Sequence, residues 1–163
     1  MVEKGDPAPD FTVPIARGAA YNDVDEFTLS ENLGAGPVVL AFFPAAFTSG
    51  CTEELCTFRD SIGAFDALDA TVYGISTDLP FAQNVFIRQE GLDFPLLSDF
   101  DHDAIEAYDV VLKDFYDVMT VAERAVFVVD EEGIITYRWI REGENPDFDR
   151  LVEEIREAVE ATA

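Results

Sequence analysis

The stretch Val38-Val39-Leu40-Ala41-Phe42-Phe43-Pro44-Ala45-Ala46-Phe47-Thr48-Ser49-Gly50-Cys51-Thr52-Glu53-Glu54-Leu55-Cys56 decides how the rest of the chain is read. Its first six residues are apolar without interruption and too few for a helix, which predicts a central strand buried on both faces. Pro44 ends the strand, and a short loop leads to a helix starting near Thr48 or Ser49. From about 49 to 65, Leu55, Phe58, Ile62 and Phe65 recur at three- and four-residue spacing, the mark of one buried helical face. Cys51 therefore falls in the first helical turn.

That position has chemical consequences. The first backbone N–H groups of a helix lack intrahelical acceptors, and the positive end of the helix dipole lies there, so a thiolate is stabilised. The thiolate is the nucleophilic form of cysteine. Thr48 stands three residues before Cys51, where an N-cap hydroxyl faces the third helical residue and could reach the sulfur. Pro44 closes the loop from the other side and could limit the access of water. A capped helix followed by a buried structural cysteine would satisfy the same local pattern.

Outward from this segment, short apolar runs alternate with amphipathic ones. Residues 71–76 and 125–130 read as further strands. Glu131-Glu132-Gly133 reads as a tight turn into a strand over 134–139, making a terminal hairpin. Helices are predicted at about 79–90 and 102–109. A last helix carries the stripe Phe148, Leu151, Val152, Ile155 and Val159, capped by Asp147 after Pro146. This order predicts an α/β fold over 1–163 as a single domain: a central mixed β-sheet flanked by helices on both faces, as in a thioredoxin-like fold. Periodicity by itself is equally compatible with a flavodoxin-like sheet.

Of the 163 residues, 48% are apolar and 14 are Phe, a composition that can fill a core and is not that of a disordered chain. There are 34 acidic against 10 basic residues, with Lys4 and Lys113 the only lysines, for a net charge of −24. Such a surface repels nucleic acid and anionic membranes. The carboxylates are spread along the chain, which reads as a solvated surface adapted to a salty, halophilic cytoplasm, where screening acts over about 3 Å at 1 M salt. No basic segment precedes an apolar run at the N-terminus, and no stretch approaches the roughly 18–20 apolar residues of a membrane span. The expected location is cytoplasmic. Two cysteines five residues apart suit a redox or metal role better than a secreted disulfide framework.

The string Pro44-x-x-x-Thr48-x-x-Cys51 after an apolar strand resembles the active-site signature of the peroxiredoxins, the alkyl hydroperoxide reductase/thiol-specific antioxidant family. The opening Gly5-Asp6-Pro7-Ala8-Pro9-Asp10-Phe11 resembles that family's usual start, and Phe94-Pro95-Leu96-Leu97-Ser98-Asp99 its middle segment. Arg124, just before the strand at 125–130, stands where the family keeps its catalytic arginine. The resemblance implies a thiol-dependent peroxidase acting on hydrogen peroxide and organic hydroperoxides, with Cys51 as the peroxidatic cysteine. Thr48 would bond peroxide and sulfur, Pro44 would shield the site, and Arg124 would hold the thiolate and the developing oxygen charge. Glu54 matches a glutamate of many members, which leaves two readings for it: a residue that orients Arg124, or one more solvated carboxylate. No metal, haem or flavin is implied. The implied partners are a peroxide and a thioredoxin-like or other thiol reductant, in a monomer or homodimer.

The Cys51-x-x-x-x-Cys56 spacing resembles the Q-type (bacterioferritin-comigratory) group, in which the second cysteine resolves the sulfenic acid as an intramolecular disulfide. On an intact helix, positions i and i+5 are about 8–9 Å apart, whereas a disulfide needs Cα atoms within about 7 Å. Bridging would therefore require the first turns to unwind. The segment 94–108 also resembles the one-Cys E-type enzymes, so an external thiol could resolve Cys51, leaving Cys56 as a small buried residue. A thioredoxin-like thiol-disulfide oxidoreductase is the other alternative, although it usually carries Cys-x-x-Cys. His102, the only histidine, reads as an exposed neighbour of a helix cap. Trp139 reads as core or interface. Phe47 could line the peroxide entrance or a subunit contact.

Overall fold

The computed structural model describes residues 2–162. Its strands are β1 (Thr12–Ala16), β2 (Val24–Thr28), β3 (Val38–Phe42), β4 (Thr71–Ser76), β5 (Leu96–Ser98), β6 (Val111–Phe115), β7 (Met119–Ala122), β8 (Ala125–Val129) and β9 (Ile135–Ile140). The helices are α1 (Ser49–Asp60), α2 (Ile62–Asp66), α3 (Pro80–Glu90), α4 (Asp103–Ala107) and α5 (Phe148–Thr162). Seven strands form one sheet in the order β2-β1-β5-β4-β3-β8-β9, and β6 and β7 form a separate hairpin. β3, β4 and β5 run parallel, while β8 lies antiparallel beside β3. That antiparallel neighbour excludes the all-parallel flavodoxin-like alternative and gives the thioredoxin-like arrangement.

The unbroken apolar runs follow from burial on two sides. Along β3 and into the loop, Val39, Ala41 and Phe43 join the core under α1, α2, α3 and α5. Their alternates Val38, Leu40 and Phe42 join a second core, under α4, with Phe11 and Tyr108. β8 divides in the same way, Val126 and Val128 to one side and Phe127 and Val129 to the other. Strand side chains alternate between faces, so a strand covered on both must be apolar at every position.

Several expectations about elements are corrected. The helix expected at 49–65 is broken at Ser61, whose φ and ψ of −109° and 3° leave the helical region. Phe58 and Phe65, on either side of the break, are both buried, with ring centroids 5.8 Å apart. β1, β2, β6 and β7 give no clear signal in periodicity. β2 (Val-Asp-Glu-Phe-Thr) lies at the sheet edge with two exposed carboxylates, and β6 carries a register irregularity and sits outside the main sheet. The terminal hairpin forms as expected, with Asp130 Oδ1 accepting the amides of Glu132 and Ile134 and Gly133 at φ 85°. Asp147 Oδ1 accepts the amide of Arg150 at 3.3 Å in the first turn of α5.

Candidate active site

β3 delivers the chain through Phe43 and the buried Pro44 into a loop that ends at Thr48, the N-cap of α1. Cys51 is the third residue of α1 and is 1% exposed. Because Ala125 of β8 pairs with Phe42 of β3, the residue before β8 emerges beside this loop. That residue is Arg124. Its Nη2 donates to Cys51 Sγ at 3.3 Å, its Nη1 to Glu54 Oε1 at 2.9 Å and its Nε to Asn145 Oδ1 at 3.1 Å. Phe148 lies under the guanidinium, with Cζ 5.4 Å from the ring centroid.

Glu54 is fully buried, so it is not one of the many solvated carboxylates. One turn separates it from Cys51, which puts both on the face of α1 that meets Arg124. Burial pushes the Glu54 carboxyl up to about 7, against the opposing pull of the Arg124 charge. Its Oε2 finds no donor among the described residues, which adds to the cost of the ionised form. For Arg124, burial acts against the charge, but Glu54 and Cys51 outweigh it and raise its proton affinity. The guanidinium therefore stays charged in a site that water scarcely reaches.

Thr48 does not cap α1 through its side chain. Its hydroxyl donates instead to the Ala45 carbonyl at 2.8 Å, while its backbone carbonyl accepts the Thr52 amide. With the proton committed, the Thr48 oxygen remains an acceptor for an incoming O–H. Asp78 steadies the same loop: its Oδ2 accepts the Ala46 amide at 2.9 Å and the Ser76 hydroxyl at 2.7 Å. Pro44, Ala45, Thr48 and Asp78 line a cleft of about 660 Å³ whose other wall includes Phe100, Phe115, Tyr116 and Met119. A second cleft, of about 740 Å³, lies beside Glu123, Trp139 and Arg141 and includes neither Cys51 nor Thr48. The first reaches the site through Pro44 and Thr48, with Cys51 itself buried behind its lining.

Cys56 lies on the same unbroken helix as Cys51, half-buried, with Sγ 3.7 Å from Glu90 Oε1. Burial, reinforced by the Glu90 carboxylate, raises its thiol above the ordinary range. The two thiols are free and unbridged. His102 is half-buried in a left-handed conformation at φ 68° just before α4, and it borders the 660 Å³ cleft. Asp99, not His102, supplies the side-chain cap there, to the amides of Ala104 and Ile105. Trp139 packs partly buried against the larger core. Phe47 is exposed beside the loop at φ 68°, with its ring 5.1 Å from that of Phe86.

Sequence reasoning missed Asn145, Arg141 and Asp78. Asn145 and Arg141 are polar residues in an ordinary-looking loop and strand end, and no spacing links them to Cys51. Asp78 follows β4 in Ser-Thr-Asp, a weak signal that a loop carboxylate is available there.

The profile of the AhpC/TSA family matches residues 4–138. The chain belongs to this family. It is a peroxiredoxin, a thiol-dependent peroxidase. Over 139 residues it is 38% identical to alkyl hydroperoxide reductase E of Mycobacterium tuberculosis, a span of 84% of each chain. It is 36% identical over 140 residues to peroxiredoxin Bcp of Bacillus subtilis, covering 85% of each. The crystal structure of the peroxidoxin BcpB from Mycobacterium tuberculosis superposes with a TM-score of 0.85 at 31% identity, over 100% of this chain and 99% of the other. A mutant of Xanthomonas campestris peroxiredoxin Q superposes with a TM-score of 0.82 at 25% identity, over 100% and 98%. Among the described residues of this peroxiredoxin, no helix is long and apolar enough to cross a membrane.

Proposed function

We propose that this peroxiredoxin reduces hydrogen peroxide and organic hydroperoxides through Cys51, resolves the product with Cys56, and is recycled by a thioredoxin-like dithiol. The observation that carries the first step is the Arg124–Cys51 contact at 3.3 Å between two buried side chains, flanked by the buried Glu54. In that step the Cys51 thiolate attacks the distal peroxide oxygen and the O–O bond breaks. Sulfur gains OH as a sulfenic acid, and the departing hydroxide or alkoxide leaves as water or an alcohol after taking a proton. Arg124 and the first-turn amides stabilise the charge that builds on oxygen, where fixed donors in a dry site act most strongly. Thr48 accepts the peroxide O–H and so orients it.

Cys56 then attacks the sulfenic sulfur, forming the disulfide and releasing water. Because α1 holds both cysteines on one intact helix, this step requires its first turns to unwind. The spacing supports Cys56, as does the naming of relatives as Bcp and peroxiredoxin Q. The likeness to alkyl hydroperoxide reductase E supports the one-Cys alternative.

Intact mass after one equivalent of hydrogen peroxide separates these readings. Wild type is expected to lose two hydrogens, Cys56→Ser to gain one oxygen, and Cys51→Ser to stay unchanged. A sulfenic acid that persists in wild type would move resolution to an external thiol. No reaction in wild type would overturn the assignment of Cys51.

A further inference from the structure

Arg124 uses three of its nitrogens, and only two of them face α1. The third, Nε, points to a segment remote from both cysteines. Asn145 Oδ1 accepts that Nε at 3.1 Å and also accepts Arg141 Nη1 at 3.0 Å. Lying between two guanidinium donors, the Asn145 side chain must turn its oxygen, not its nitrogen, towards them.

Arg141 continues the attachment. Its amide donates to the Arg124 carbonyl at 2.9 Å, and its Nη2 pairs with Glu123 Oε1 at 2.9 Å. The same Glu123 oxygen accepts the Arg124 amide at 2.7 Å. The main chain and the side-chain root of Arg124 are thus gripped by the end of β9 and the loop that follows it. On the far side, a Cβ at Gly50 would stand 2.8 Å from Asn145 Nδ2 and 3.3 Å from Arg124 Nη2. Glycine at 50 leaves the room in which Asn145 and Arg124 approach the first turn of α1.

We infer that Asn145 is a positioning residue for the peroxidase reaction, holding the Arg124 guanidinium in the plane from which Nη2 meets Cys51 and the peroxide oxygens. This rests on the reading of Arg124 given above. Arginine has rotational freedom about its terminal bonds, and the Glu54 contact alone fixes one nitrogen. A second acceptor at Nε fixes the plane of the fork, and fixed donors rather than mobile ones lower a barrier. Asn145 itself is exposed, so its truncation removes this hold without opening the core.

The test is a double-mutant cycle read as the second-order rate of Cys51 oxidation by hydrogen peroxide in the full-length reduced protein. Asn145→Ala is expected to lower that rate about tenfold, the scale of loss when the Arg124 fork is no longer held in its productive orientation. Asn145→Asp, which keeps an acceptor at the same place, is expected to stay within about threefold of wild type. In an Arg124→Ala background, Asn145→Ala should change the rate less than about twofold, because nothing remains for it to position. A wild-type rate in Asn145→Ala, or the same tenfold loss with Arg124 already removed, would overturn the inference. A wild-type rate in Arg124→Ala would instead sink the reading of Arg124 itself, so the two failures are distinguishable.

Discussion

Arg124 Nη1 and Glu54 Oε1 lie 2.9 Å apart with the two side chains 3% and 0% exposed, an ion pair sealed beside the Cys51 sulfur. Pairs of this kind owe little to net stabilisation, because removing both ions from water offsets most of their attraction. Here the pair sets geometry: Glu54 holds one end of the fork whose other end meets Cys51.

The pair makes stability depend on pH in a definite direction. Burial raises the Glu54 carboxyl to about 7, so the folded protein keeps a proton that the unfolded chain has already lost. The stability that this group contributes is complete below the ordinary carboxylate range and is lost as pH rises to about 7. Glu54→Gln cannot titrate. Its stability relative to wild type is expected to improve between roughly pH 4.5 and 7 and then level off, as read by urea unfolding at a series of pH values. A constant difference across that range would show that Glu54 ionises normally.

Arg124→Ala is expected to slow Cys51 oxidation by about a hundred- to a thousandfold, the scale for losing a preorganised donor at a developing oxyanion. Arg124→Lys should recover only part of this loss. A single ammonium cannot reach sulfur, Glu54 and Asn145 together. Stopped-flow oxidation of the three proteins gives the comparison, and full recovery by lysine would mean that charge alone suffices.

Thr48→Val removes the acceptor oxygen at nearly constant volume, whereas Thr48→Ser keeps it. The valine variant should lose at least about tenfold in peroxide rate and the serine variant little. The same stopped-flow measurement checks both. Equal behaviour of the two would show that neither the Thr48 acceptor oxygen nor its bond to Ala45 serves the reaction.

If Cys56 resolves Cys51, oxidation must open α1. Amides from Thr52 to Cys56 are expected to be protected from hydrogen exchange in the reduced protein and to exchange freely in the disulfide form. Glu90→Gln, which weakens the hold on the Cys56 thiol, should hasten the resolving step without changing the first oxidation. Unaltered protection after oxidation would exclude the intramolecular bridge.

Ten basic residues cannot pair 34 acidic ones, so most surface carboxylates repel one another. Thermal unfolding is expected to move to higher temperature between low and molar salt as this repulsion is screened. Equal stability in both would argue against a surface adapted to salt.

The sequence by itself was enough to place Cys51, because everything about that placement is local. An apolar strand, a proline, a threonine N-cap and a helical stripe follow one another within a single stretch, and periodicity reports local order directly. Pairing β3 with β8 is different. It brings Arg124 to a sulfur 73 residues away and to a carboxylate 70 residues away. Which strands lie side by side, and in what register, depends on packing two cores at once, and no window of sequence contains that competition. Family resemblance supplied Arg124 as a candidate, but only the register explains its contact. Glu54 shows the same division: its helical face could be read from its spacing to Cys51, whereas its complete burial, and the raised carboxyl that follows, depend on what packs over that face. Asn145 had no local signal at all. Its role arises where the end of β9 folds back over the first turn of α1, against a glycine small enough to admit it.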